Sequence, residues 1–90
     1  MLEMRVLFYG RVQGVGFRWT IVDHAEKHHL TGTVQNLANG AVEVVAQGSR
    51  DILEAFLNSV QTNPGNAAFV SIQTTFHPPS HSFTSFDILQ

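Results

Sequence analysis

Hydrophobic residues along the chain recur at two different spacings, and each switch between them marks where a strand gives way to a helix. Met4 to Gly10 is short, apolar and aromatic, which predicts a strand buried on at least one face. Gly10 to Gly16 carries three glycines in seven residues, a density that interrupts regular structure. From Phe17 to about His29 the rhythm is helical, through Phe17, Ile21, Ala25 and His28 or His29. Thr31-Gly32 is expected to end that helix, with Gly32 at a turn of positive φ. Two strand-like runs follow, Thr33 to Ala38 and Ala41 to Gln47, separated by Asn39-Gly40. That dipeptide predicts a tight hairpin with a type I′ turn. Ser49 is placed to cap a second helix, with Asp51 in its first turn complementing the helix dipole. Ile52, Leu53, Phe56, Leu57 and Val60 form its apolar stripe, and Asn63-Pro64-Gly65 stops it. Ala68 to Phe76 alternates as a strand, Pro78-Pro79 breaks it, and Phe83 to Leu89 reads as a last strand.

The resulting order is β-α-β-β-α-β with a short C-terminal fifth strand. It predicts a ferredoxin-like, split βαβ arrangement of the α+β class: an antiparallel sheet with both helices on one face, forming a two-layer sandwich. In that topology the first and third strands are neighbours and the second pairs with the third. Residues 1–90 are expected to form a single domain, since 90 residues build one core.

Composition narrows the functional classes. Charged residues are only 13% of the chain, about half the usual share, and the net charge is −2. That offers no electrostatic footprint for nucleic acid or an anionic membrane. With no cysteine, disulfides, thiolate nucleophiles and cysteine-ligated metals are excluded, and a reducing cytoplasm is the expected compartment. No apolar run approaches the roughly 20 residues of a membrane helix, and the N-terminus does not read as a secretion signal.

The informative stretch is Gly10-Arg11-Val12-Gln13-Gly14-Val15-Gly16-Phe17-Arg18, between a strand and a helix. A Gly-rich turn feeding a helix N-terminus presents unpaired backbone donors at the positive end of the helix dipole, a geometry suited to an oxyanion. Arg18 adds a planar cation able to hold two phosphate oxygens at once. Two nucleotide motifs fail here. No lysine follows any of the glycines, as a P-loop requires, and Gly14-Val15-Gly16-Phe17-Arg18-Trp19 lacks the third glycine of the dinucleotide fingerprint. On pattern alone, an anion site and a tight turn with packing glycines remain equal alternatives.

The same stretch resembles the signature of the acylphosphatase family. Gly32-Thr33-Val34-Gln35-Asn36, followed by Asn39-Gly40, resembles that family's second signature, and Phe86-Asp87-Ile88 adds a weaker likeness. The resemblance implies hydrolysis of small acyl phosphates to a carboxylate and inorganic phosphate, with no metal or organic cofactor. Carried across, it implies that Arg18 binds the phosphate and Asn36 positions the attacking water. The backbone N–H groups of Gln13, Gly14, Val15, Gly16, Phe17 and Arg18 would form the cradle. It further implies a small-molecule substrate rather than a nucleic acid or membrane partner, and a monomer. The chain departs from the family at Thr33, where most members carry tryptophan; this puts packing near the second motif in question.

Other features give weaker readings. His24 and His28 lie four apart on the first helix, but Glu26 stands one place too late for the H-E-x-x-H metal motif. Helix-surface histidines are the expected outcome, and Trp19 is expected on partly buried helix surface. RNA-binding modules share the fold, yet their aromatic signature and basic surface are missing. A regulatory module that keeps the anion site without turnover is the rival to an enzyme.

Overall fold

A computed structural model of the protein describes residues 1–89. The elements run β1 (Leu2–Arg11), α1 (Phe17–Lys27), β2 (Thr31–Asn36), β3 (Val42–Gly48), α2 (Arg50–Thr62), β4 (Ala68–His77) and β5 (Phe86–Ile88). The five strands form one sheet in the order β4-β1-β3-β2-β5. As the topology predicts, β1 lies beside β3 and β2 pairs with β3, both antiparallel.

Alternation along the strands decides which side is buried, because successive side chains point to opposite faces. Met4, Val6 and Phe8 of β1, Val34 of β2 and Val42, Val44 and Ala46 of β3 are fully buried. Phe17, Ile21 and Ala25 of α1 and Leu53, Phe56 and Val60 of α2 join them in one core. The other face carries a polar network instead. Arg5 Nε donates to Glu43 at 2.6 Å, and Gln35 Nε2 donates to the other oxygen of that carboxylate at 2.8 Å.

The fifth strand is shorter than its pattern suggests, and it pairs with β2 in parallel, making the sheet mixed. The reason is geometric. β4, one edge strand, ends with His77 opposite Glu3, at the end of the sheet where β2 begins. The chain therefore crosses that end of the sheet, is held there by Glu3 and Gln47, and enters β5 at the other edge running the same way as β2. Gln47 Nε2 donates to the His81 carbonyl, and the Ser80 hydroxyl donates to Glu3 at 3.1 Å. Phe83 to Ser85 belongs to this crossing rather than to the strand.

Three local expectations are corrected. The β2–β3 connection is not a type I′ turn, since Asn39 does not have positive φ. The Gly40 N–H donates to the Leu37 carbonyl at 3.1 Å, the Leu37 N–H donates to Ala41 at 2.8 Å, and Gly40 has φ 92°. This is the longer hairpin in which one turn is followed by a left-handed glycine. The helix α1 ends at Lys27, and the left-handed residue after it is His29 (φ 56°); Gly32 has the positive φ expected of it (150°) but lies inside β2 rather than at a turn. Finally, His24 is buried rather than on the helix surface. Its Nε2 donates to the Asn63 carbonyl at 2.8 Å, and its Nδ1 accepts from the Ser59 hydroxyl at 2.6 Å, so it ties α1 to α2.

Candidate active site

The two helices begin in opposite ways. Ser49 caps α2, accepting from the Ile52 N–H at 3.3 Å, and Asp51 sits in its first turn. Helix α1 has Gly16 at its N-cap, with no side-chain cap and no acidic residue in its first turn. Its positive end is thus neither satisfied nor neutralised by the chain itself. Among the described residues, no backbone carbonyl accepts from the N–H groups of Gln13 to Arg18.

The loop before α1 is shaped by alternation of anchors and glycines. Val12 and Phe17 are buried and Val15 packs partly against the core. Phe17 is braced edge-on by Phe8, with ring centroids 5.1 Å apart, and by Phe69 at 5.4 Å. Between these anchors Gly14 and Gly16 take φ of 75° and 77°, the left-handed conformation that other residues adopt at a cost. A Cβ on either would meet nothing within 4 Å, so the space above the loop is open. Successive N–H groups in such a turn converge to form a concave anion site. Thr20 closes the first turn, its N–H donating to the Gly16 carbonyl at 3.2 Å.

Arg18, the second residue of α1, is half-buried and has no ion-pair partner among the described residues. Asn36 is the last residue of β2, paired with Val42 and exposed. Its position two residues after Val34 puts it on the helix side of the sheet, the side on which Arg18 lies. The structure therefore brings the glycine loop, Arg18 and Asn36 to one end of the molecule.

A link between these parts was not read from the sequence. The side-chain amide of Gln13 donates to the Leu37 and Ala41 carbonyls, each at 2.9 Å. Those residues flank the Asn36–Val42 pair, so one amide ties the loop to the strand end carrying Asn36. An amide inside a Gly-rich turn is the only signal the sequence offers for it.

Two clefts adjoin α1. One, about 690 Å³, lies between α1 and α2 and includes His24 and Ser59, but neither Arg18 nor Asn36. The other, about 460 Å³, lies between α1 and β5 and has Arg18 in its wall. Trp19 borders both and is 72% exposed, so it is not the partly buried surface residue expected. No cluster of three or more potential metal ligands occurs among the described residues, and no helix among them is long and apolar enough to cross a membrane.

Comparison with known proteins agrees with this geometry. The family model for acylphosphatase matches residues 4–88. An acylphosphatase of Lactobacillus johnsonii is 41% identical over 89 residues, covering 98% of this chain and 96% of that protein. One from Bacillus licheniformis is 36% identical over 88 residues, covering 98% of each. The crystal structure of acylphosphatase from Bacillus subtilis superposes with a TM-score of 0.91 at 34% identity, covering both chains completely. With the fold, the uncapped glycine loop and matches along almost its entire length in agreement, this chain belongs to the acylphosphatase family and is an acylphosphate hydrolase.

Proposed function

We propose that the phosphoryl group of the substrate sits on the backbone N–H groups of Gln13 to Arg18, with the Arg18 guanidinium across its equatorial oxygens, and that Asn36 aligns the attacking water. The observation that supports this reading most is the pair of Gln13 hydrogen bonds, which join the cradle to the strand end bearing Asn36.

The chemistry asks for little more. An acyl phosphate has a good carboxylate leaving group, and phosphoryl transfer is accelerated chiefly by positioning and by stabilising charge on the oxygens. Fixed N–H donors supply that stabilisation without reorganising during the reaction. The water oxygen bonds to phosphorus, the bond from phosphorus to the acyl oxygen breaks, and the carboxylate leaves with the electron pair. Asn36 does not titrate, so it orients water by hydrogen bonding and takes no proton. The proton passes to a phosphate oxygen of the substrate itself, which makes the rate flat across neutral pH. No metal or organic cofactor takes part, and the chain acts as a single-domain monomer in the cytoplasm, free of nucleic acid.

The test is hydrolysis of benzoyl phosphate in EDTA by the wild type, Arg18→Ala and Asn36→Ala. Arg18→Ala loses both inorganic phosphate binding and turnover. Asn36→Ala loses turnover and still binds phosphate. A near-native rate for Asn36→Ala would sink the water-positioning role, and a rate abolished by EDTA would overturn the metal-free mechanism.

A further inference from the structure

The groove between α1 and β5 has Arg18 at one end and runs along the helix away from it. Arg18, Val22 and Glu26 stand in its helical wall, each one turn beyond the last, with Trp19 beside them. Phe86 and Ile88 of β5 form the opposite wall. At 1.5 Å per residue, the backbone of Glu26 lies about 12 Å along the helix from that of Arg18. The groove is therefore cationic at one end, apolar in the middle and anionic at the far end. Glu26 is exposed and has no ion-pair partner among the described residues, so its charge is not cancelled locally. Asp87, between Phe86 and Ile88, turns its side chain to the other face of the sheet, where the Ser85 hydroxyl donates to it at 2.7 Å.

We propose that this groove holds the acyl part of the substrate and selects uncharged, apolar acyl groups over those ending in a carboxylate. The proposal rests on the reading of Arg18 as the phosphate ligand, because a phosphoryl group bound there has its acyl carbon at the groove mouth. The exposed Trp19 indole and Val22 then cover an apolar chain. Glu26 repels a second negative charge carried at its far end. The molecule thus distinguishes substrates by the acyl group although its reacting parts touch only phosphate.

The experiment compares kcat/KM for acetyl, benzoyl and succinyl phosphate in the wild type, Trp19→Ala and Glu26→Lys. Both substituted side chains are exposed, so the fold is retained. Acetyl phosphate is too short to use the groove and serves as the internal reference. The wild type prefers benzoyl to acetyl phosphate, and Trp19→Ala reduces that preference by about tenfold, the scale of losing an apolar contact in a pocket. A charge reversal roughly 6 Å from a carboxylate in water is worth about tenfold, so Glu26→Lys raises succinyl relative to acetyl phosphate by that factor. Normal acetyl phosphate turnover with both ratios unmoved would overturn the groove assignment alone. Absence of turnover on all three substrates in the wild type would instead overturn the reading of the phosphate site.

Discussion

Replacing Gln13 by alanine removes the two hydrogen bonds that join the glycine loop to the β2–β3 connection. Its cost follows from what each carbonyl keeps. The Leu37 carbonyl still accepts from the Gly40 N–H, and the Ala41 carbonyl still accepts from the Leu37 N–H. Neither is left unsatisfied, so the loss is that of two neutral hydrogen bonds, about 2 kcal/mol in total. In a domain of this size that lowers Tm by roughly 8–15 °C. The kinetic effect is separate. The cradle donors and Arg18 are untouched, so affinity for inorganic phosphate, read by calorimetric titration, changes by less than about threefold. On the proposed mechanism Asn36 loses its fixed relation to the phosphoryl group, and a displacement of about 1 Å costs on the order of a hundredfold in rate. Benzoyl phosphate hydrolysis, measured well below Tm, therefore shows kcat reduced by about 10- to 100-fold with phosphate binding nearly intact. Gln13→Glu goes further. Its carboxylate accepts where the amide donated, faces two carbonyl oxygens, and repels the substrate, so phosphate affinity falls as well. A Gln13→Ala protein with unchanged Tm and kcat would refute the tether. Phosphate affinity lost in proportion to kcat would show that Gln13 serves binding rather than the alignment of Asn36.

Glu3 gives the chain a pH-dependent stability. Burial raises the pKa of its carboxyl, but hydrogen bonds from Gln47 and Ser80, together with His77 at 3.4 Å, outweigh this and hold it below the usual carboxylate value. A lowered folded pKa means that the contribution is complete above the unfolded pKa of about 4.3 and disappears as pH falls through the folded value. Glu3→Gln is thus less stable than the wild type at neutral pH, and the difference shrinks on acidification; thermal melts showing a constant gap would contradict this. Thr33 lies opposite Val45 and beside Asp87 on the face without helices, away from the glycine loop. Thr33→Trp therefore stabilises by about 0.5 kcal/mol through cross-strand contact with Val45 and leaves kcat unchanged. A lower Tm, or an altered kcat, would show that this face does not accept the larger side chain.

The hydrophobic pattern by itself determined the order of elements, both helix stripes, the Ser49 cap and the glycine loop before Arg18. These are written locally, in periodicity and turn chemistry, and need no knowledge of partners. The motif likeness likewise marked Arg18 and Asn36, but their roles rest on what lies between them. Only the tertiary structure decided the rest, because each feature joins residues distant in sequence. The parallel pairing of β5 depends on the end of the sheet at which β4 finishes. His24 reads as a surface residue until α2 packs over it and supplies Ser59 and the Asn63 carbonyl. The hairpin departs from the turn that Asn39-Gly40 suggests because its closing bonds lie between Leu37 and Ala41, where Gln13 also binds. Long-range hydrogen bonds of this kind leave no periodic trace in a sequence, and here they bring the glycine loop to the strand that carries Asn36.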